Sequence, residues 1–152
     1  MSRQASLCPV QVLPDSSQPR TSMPTLLVVE DEPSLLELLM QLLEEDEHYH
    51  VLPARSAERA LGIAAAEERP PHLLLLDYLL PGMSGLELYD RLHALPGFQH
   101  VPAIMASACL AQDTLRKELN MRGIMAIEKP YDLEALLERI NAAVRSVQSA
   151  VR

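Results

Sequence analysis

The sequence predicts an α/β protein: a doubly wound, five-stranded parallel sheet of order 2-1-3-4-5 with helices on both faces. Three observations carry this. Short apolar runs alternate with amphipathic segments of helical period from Thr25 to Gln148. The run Leu73–Leu76 is apolar throughout, as a central parallel strand buried on both faces requires. Capping signals at Ser34–Glu37 and Ser84–Glu87 open two of the helical segments. Such alternation implies a parallel sheet covered on both sides. Right-handed crossovers restrict its topology, and the common order places a binding crevice at the carboxyl ends of the first and third strands.

The elements follow in order. Thr25–Val29 reads as a buried strand. The box Ser34-Leu-Leu-Glu37 opens a helix whose Leu35, Leu38, Leu39, Leu42 and Leu43 follow the i, i+3, i+4, i+7, i+8 rule. Tyr49–Leu52 is a short second strand. Ser56–Glu68 is an Ala-rich helix stopped by Pro70-Pro71. Leu73–Leu76 is the third strand, and Ser84 opens a helix that runs to about Ala94. Val101–Ala106 is the fourth strand, Ala111–Met121 a helix, and Gly123–Ile127 the fifth strand. Asp132–Gln148 is the last helix, with Leu133, Leu136, Leu137, Ile140 and Val144 on one face.

Composition narrows the function classes. At 152 residues the chain holds about one domain. Apolar residues make up 48% and charged residues 22%, which is globular usage rather than disordered or fibrous. With one Phe and no Trp, the core is aliphatic. A net charge of −8 argues against direct nucleic-acid binding through phosphate contacts. No apolar run is long enough for membrane insertion, and no secretory signal opens the chain. Cys8 and Cys109 have no CxxC partner, so neither a disulfide framework nor a zinc site is expected, and a reducing, cytoplasmic setting fits.

Residues 1–23 carry Pro9, Pro14 and Pro19 among Ser, Gln and Arg, and read as a disordered tail before a domain spanning 24–148. Translation from Met1 or from Met23 both fit. Residues 149–152 leave no room for an output domain, so output is expected to pass through another protein.

The chemistry collects where the strands end. The first is followed by Glu30-Asp31-Glu32, the third by Asp77, the fourth by Ser107, and the fifth by Glu128-Lys129-Pro130. Each has a plain reading alone. Asp77 caps a turn, Glu30 and Asp31 lead a helix, Ser107 caps a turn, and Lys129 pairs with a surface acid. The predicted topology brings all of them to one edge of the sheet, above the crevice. Three carboxylates in one cleft repel, and some pKa values rise unless a cation is present. A few hard oxygen ligands suit Mg²⁺. Lys129 is one of only two lysines, the other being Lys117. Acids, a cation, a metal and a hydroxyl around one nucleophilic Asp describe a phosphoryl-transfer site.

Four segments carry a resemblance: Leu26–Pro33, Leu74–Leu88, Val101–Ala108 and Glu128–Tyr131. In order and spacing they resemble the receiver domain of two-component response regulators, over roughly residues 24–148. The resemblance implies the flavodoxin-like (βα)5 fold, with Asp77 as phosphoacceptor. It implies that Glu30, Asp31, Asp77 and the backbone carbonyl of Leu79 hold Mg²⁺. Ser107 and Lys129 then contact the phosphoryl oxygens, and Lys129-Pro130 is a cis peptide. The implied partners are a histidine kinase or histidine phosphotransfer protein and a downstream protein. The face of the fourth helix, fifth strand and fifth helix is the readout surface and a candidate homodimer surface. The protein would catalyse only its own phosphorylation and dephosphorylation.

Two positions depart from the family pattern. Glu30 stands where Asp is frequent, and reaches further. Ala126 stands three residues before the lysine, where an aromatic is usual, so the coupling in which a ring turns inward cannot operate there. Tyr131 flanks the site from the other side. In similar proteins the residues two after the phosphoacceptor and two after the hydroxyl border the path of the hydrolytic water; these are Leu79 and Cys109. An alternative on the same fold is a phosphorylation-independent interaction module. An aspartate-nucleophile phosphatase would want an acid at Leu79. A nucleotide-binding protein would want a Gly-rich loop after the first strand.

Overall fold

The computed structural model describes residues 23–150. The tail expected over 1–23, Met23 apart, lies outside the described residues. The strands are β1 (Thr25–Val29), β2 (His50–Ala54), β3 (Leu73–Asp77), β4 (Leu79–Leu80), β5 (Met83–Ser84), β6 (Ala103–Ser107) and β7 (Met125–Glu128). The helices are α1 (Pro33–Gln41), α2 (Ala57–Ala66), α3 (Gly85–His93), α4 (Asp113–Met121) and α5 (Leu133–Ala150). Five strands form one parallel sheet of order β2-β1-β3-β6-β7, the order expected from sequence. Among the described residues no helix is long and apolar enough to cross a membrane.

The sheet divides the core in two because successive strand residues point to opposite faces. Leu27, Val29, Leu74, Leu76, Ala103 and Met105 pack against α2, α3 and α4. Leu26, Val28, Leu73, Leu75, Ile104, Ala106 and Ile127 pack against α1 and α5. All four leucines of β3 are buried. Each contributes about 1.5–3 kcal/mol by leaving water, which makes β3 the anchor of both layers.

Several element boundaries differ from the sequence expectation. Helix α1 starts at Pro33, with Glu32 as its N-cap and no side-chain cap, so Ser34-Leu-Leu-Glu37 does not act as a capping box. Proline at the first helical position needs no N–H partner and arrives with a helical φ, so the helix starts two residues earlier than a Ser34 cap would place it. The buried face of α1 is Leu36 and Leu39, not Leu35 and Leu38; Leu38 is 45% exposed. Leucines on every side of this helix leave its period uninformative. The helix passes into a π-helical turn over Leu42–Asp46 and then reverses at His48, whose φ is 60°. Strand β2 runs to Ala54 through Pro53, which an edge strand tolerates. Strands β6 and β7 each begin two residues later than expected and end one later.

The box at Ser84 behaves as expected in part. Its hydroxyl accepts the Glu87 N–H at 3.2 Å, while the Glu87 carboxylate turns to Arg91 at 3.1 Å. Before it lies a hairpin that sequence reading missed, β4 against β5. Its two-residue turn is Pro81-Gly82, and the φ of +77° at Gly82 is open to glycine at little steric cost.

Candidate functional site

Parallel register determines what meets what. Val29 lies beside Leu76, Asp77 beside Ala106, and Ser107 beside Glu128. The residues that end β1, β3, β6 and β7 therefore reach one edge of the sheet, at the reversal of strand order between β1 and β3. Glu30 turns inward there and is 2% exposed; Asp77 is 5% exposed. Asp31 stands nearer to solvent. Oxygens of these three carboxylates lie within 4.8 Å of one another.

Burying two carboxylates together is unfavourable unless they are paired. Lys129 supplies the pairing. Its Nζ donates to Glu30 Oε2 at 2.9 Å and to Asp77 Oδ2 at 3.0 Å. The remaining oxygens take backbone donors: Glu30 Oε1 accepts the Glu32 N–H at 3.3 Å, and Asp77 Oδ1 the Leu79 N–H at 3.2 Å. Burial pushes the pKa values of Glu30 and Asp77 up, against the pull of Lys129. Mutual repulsion, the cause expected from sequence, is a lesser contribution. For Lys129 burial works against the charge, but its two carboxylate partners outweigh it and raise the pKa.

Ser107 is 2% exposed, and its Oγ accepts the Cys109 N–H at 2.9 Å. The Lys129 N–H donates to the Ser107 carbonyl, which ties the β7 loop to the end of β6. The Lys129-Pro130 peptide is cis, as the resemblance implies. Leu79 points outward and is 61% exposed. Ala126 is half-buried on β7, and its carbonyl accepts a bond from the Arg139 guanidinium of α5. The structure thus brings together Glu30, Asp31, Asp77 and Lys129, with Ser107 at the neighbouring strand end.

Sequence reading missed one residue that shapes the site. A Cβ on Gly85 would lie 2.4 Å from the Asp77 carbonyl oxygen and 2.6 Å from Met105 Sδ. The Gly85 N–H donates to the Tyr78 carbonyl at 2.8 Å, so the start of α3 closes directly on the end of β3. The available signal was a glycine in the first turn of a helix, where propensity opposes it.

The acidic cluster has the donor set of a hard divalent cation: few ligands, all oxygen, with Asp31 leaving the site open to water. Lys129 already neutralises part of that charge, so the residues present fit Mg²⁺ without depending on it.

Fold and site together define a doubly wound α/β protein with an acidic, lysine-bearing site at its switch point. The chain belongs to the response regulator receiver domain family, which matches residues 26–141. It is 34% identical over 131 residues to the phosphate regulon transcriptional regulatory protein PhoB of Rhizobium meliloti (strain 1021), covering 85% of this chain and 56% of that protein. The chain spans about half the length of the first curated relatives that it matches. A CheY-like response regulator receiver domain protein from Methanospirillum hungatei JF-1 superposes with a TM-score of 0.76 at 28% identity, covering 85% of this chain and 99% of that one. The receiver domain of a signal transduction histidine kinase from Syntrophus aciditrophicus gives 0.71 at 26% identity, covering 82% and 92%. The chain thus carries a receiver domain of the two-component type, a class of signalling module.

Proposed function

We propose that the protein accepts a phosphoryl group on Asp77 from a phosphohistidine of a kinase or phosphotransfer protein. Asp77 is the observation that carries this reading. It is a buried carboxylate at the end of the central strand, with Lys129 on one oxygen and two further acids beside it. A carboxylate oxygen of Asp77 attacks phosphorus, the P–N bond breaks, and the imidazole leaves with a proton. The product is an acyl phosphate on Asp77. A Mg²⁺ held by Glu30, Asp31, Asp77 and the Leu79 carbonyl would supply neutralisation of the carboxylates and of the incoming phosphoryl charge. Lys129 gives up a carboxylate contact to bind a phosphoryl oxygen, and the Ser107 hydroxyl donates to another.

The added charge then biases a surface with two arrangements. The face formed by α4, β7 and α5 is the readout surface in this reading, for a downstream protein or for a second copy. The functional unit is residues 24–148.

The test is incubation with acetyl phosphate and Mg²⁺ followed by intact mass. A phosphoryl-sized gain in the wild type, absent in Asp77→Asn, is the expected result. No gain in the wild type would instead favour an interaction module that works without phosphorylation.

A further inference from the structure

The ammonium of Lys129 has a third neighbour besides its two carboxylates. It lies over the ring of Tyr131, 5.6 Å from the centroid, within the range of a cation–π contact. Both Glu30 and Asp77 bear on the Tyr131 phenol, whose pKa is raised first by burial and then by these two charges. The other side of the ring belongs to a different part of the molecule. Tyr131 packs with Leu35 and Leu133 against the layer between the sheet and α1 and α5. With Leu38 and Pro130 these residues line a small apolar pocket that opens to solvent beside Lys129. Leu38 is one of the few large apolar side chains left exposed among the described residues. On the opposite side, Ala126 offers no ring to move.

We propose that Tyr131 is a positioning residue that couples the place of Lys129 to the shape of the apolar pocket between α1 and the start of α5. The inference rests on the phosphoacceptor reading for its trigger, but the coupling itself is a property of three contacts. While Lys129 holds Glu30 and Asp77, its charge sits on the ring and fixes it against Leu35 and Leu133. When Lys129 shifts toward a phosphoryl oxygen, the ring loses that partner and the pocket walls at Leu38 and Leu133 repack. Site occupancy is thereby reported on the α1 side of the sheet, in a chain that lacks the ring on β7.

The test follows the leucine methyl resonances of the full chain in ¹³C-methyl-labelled protein, with Leu38 assigned through Leu38→Met. Two triggers are applied. One is acetyl phosphate with Mg²⁺, the phosphorylated fraction being read by intact mass so that the shift is expressed per phosphorylated molecule. The other is Lys129→Met, which removes the charge without any phosphoryl group. Where Lys129→Met fails to fold, Lys129→Gln serves, because its neutral amide also removes the charge from the ring while still offering a donor to the buried carboxylates. Each trigger should move the Leu38 methyls in the wild-type and Tyr131→Phe backgrounds, since phenylalanine keeps the ring face. In Tyr131→Leu, which keeps an apolar body without a ring, the movement should fall about threefold or more. An equal movement in Tyr131→Leu, or none in the wild type with either trigger, would overturn the coupling. An absent mass gain in the wild type would count against the phosphoacceptor reading alone, and the Lys129→Met arm would still decide the coupling.

Discussion

The Nζ of Lys129 stands between Glu30 and Asp77, 2.9 Å from Oε2 of the first and 3.0 Å from Oδ2 of the second. The loop after β7 is thereby tied to the ends of β1 and β3 by one charge. Glu30 and Asp77 are nearly inaccessible to solvent and the lysine is mostly covered, so all three charges carry a burial cost. Removing one partner of such a group costs more than the group itself contributes, because the remaining charges stay buried and unpaired. Lys129→Met in metal-free buffer should therefore lose about 3 kcal/mol of stability in urea denaturation. Saturating Mg²⁺ should recover much of the loss by supplying the missing positive charge. Equal midpoints for mutant and wild type without metal would show that the pairing contributes nothing.

Asp31 is the member of the acidic cluster closest to solvent, and no bond to Lys129 engages it. Its contribution should consequently be felt through the metal rather than through the resting fold. A ligand at 100 times its dissociation constant stabilises the native state by about 2.7 kcal/mol. Wild-type protein should melt at a higher temperature on addition of Mg²⁺, and Asp31→Ala should lose most of that rise along with acetyl phosphate labelling. A full Mg²⁺ response in Asp31→Ala would remove Asp31 from the metal site.

The layered sheet and the converging acids were legible because they rest on local signals. Leu73–Leu76 has one apolar answer, and Glu30, Asp31, Asp77 and Lys129 each sit directly at a strand's end. Parallel register does the rest. What was illegible depends on relations that no single segment holds. The face of α1 is masked by leucines at 35, 36, 38 and 39, and only the sheet's position selects Leu36 over Leu38. The capping signal at Ser34 lost to Pro33, a competition between two valid rules. The double contact of Lys129 and the closeness of Gly85 to the Asp77 carbonyl are matters of ångströms between distant segments.

Gly85 gives a test of how tightly α3 closes on the site. An added methyl would meet the Asp77 carbonyl at 2.4 Å, and that atom belongs to a central strand with little freedom to yield. Gly85→Ala should destabilise the protein by about 1–3 kcal/mol through overpacking and should slow acetyl phosphate labelling by displacing Asp77. Gly62, with nothing near its Cβ position, is the control: Gly62→Ala should be neutral or stabilising, as expected on a helix surface. Identical behaviour of the two variants in urea would contradict the close approach.

His93 makes stability depend on pH away from the site. Its ring lies 3.9 Å from that of Tyr89, and Nε2 donates to the Val101 carbonyl at 2.9 Å. Burial holds its pKa below the ordinary 6.5, with His100 acting in the same sense, while the Val101 bond and Asp90 oppose the shift. A base with a depressed native pKa takes its proton first in the unfolded state. Its contribution is therefore complete above 6.5 and is lost as pH falls from there to the native pKa, below which it is constant. The urea midpoint should drop between about pH 7.5 and 5.5 by more in wild type than in His93→Gln. A steeper drop in the mutant would reverse the assigned sign.

Leu79 bears on how long a phosphoryl group would persist. Its backbone N–H is engaged by Asp77 Oδ1, so the residue is held beside that carboxylate whatever its side chain does. That side chain is 61% exposed and has no group to donate or accept. Hydrolysis of an acyl phosphate needs a water in line with the bond to be broken, and its rate depends on what positions that water. Cys109, the residue two beyond Ser107, is a weak donor and supplies little more. The phosphorylated form should accordingly be long-lived, as a relay or a stored signal requires. Leu79→Asn places an amide where it can orient the water, and because the leucine packs little, stability should be nearly unchanged. Loss of phosphate from purified protein in Mg²⁺ buffer, followed by intact mass, should be faster in Leu79→Asn at an equal melting temperature. A wild-type half-life of seconds, or equal rates in the two proteins, would show that water access is governed elsewhere.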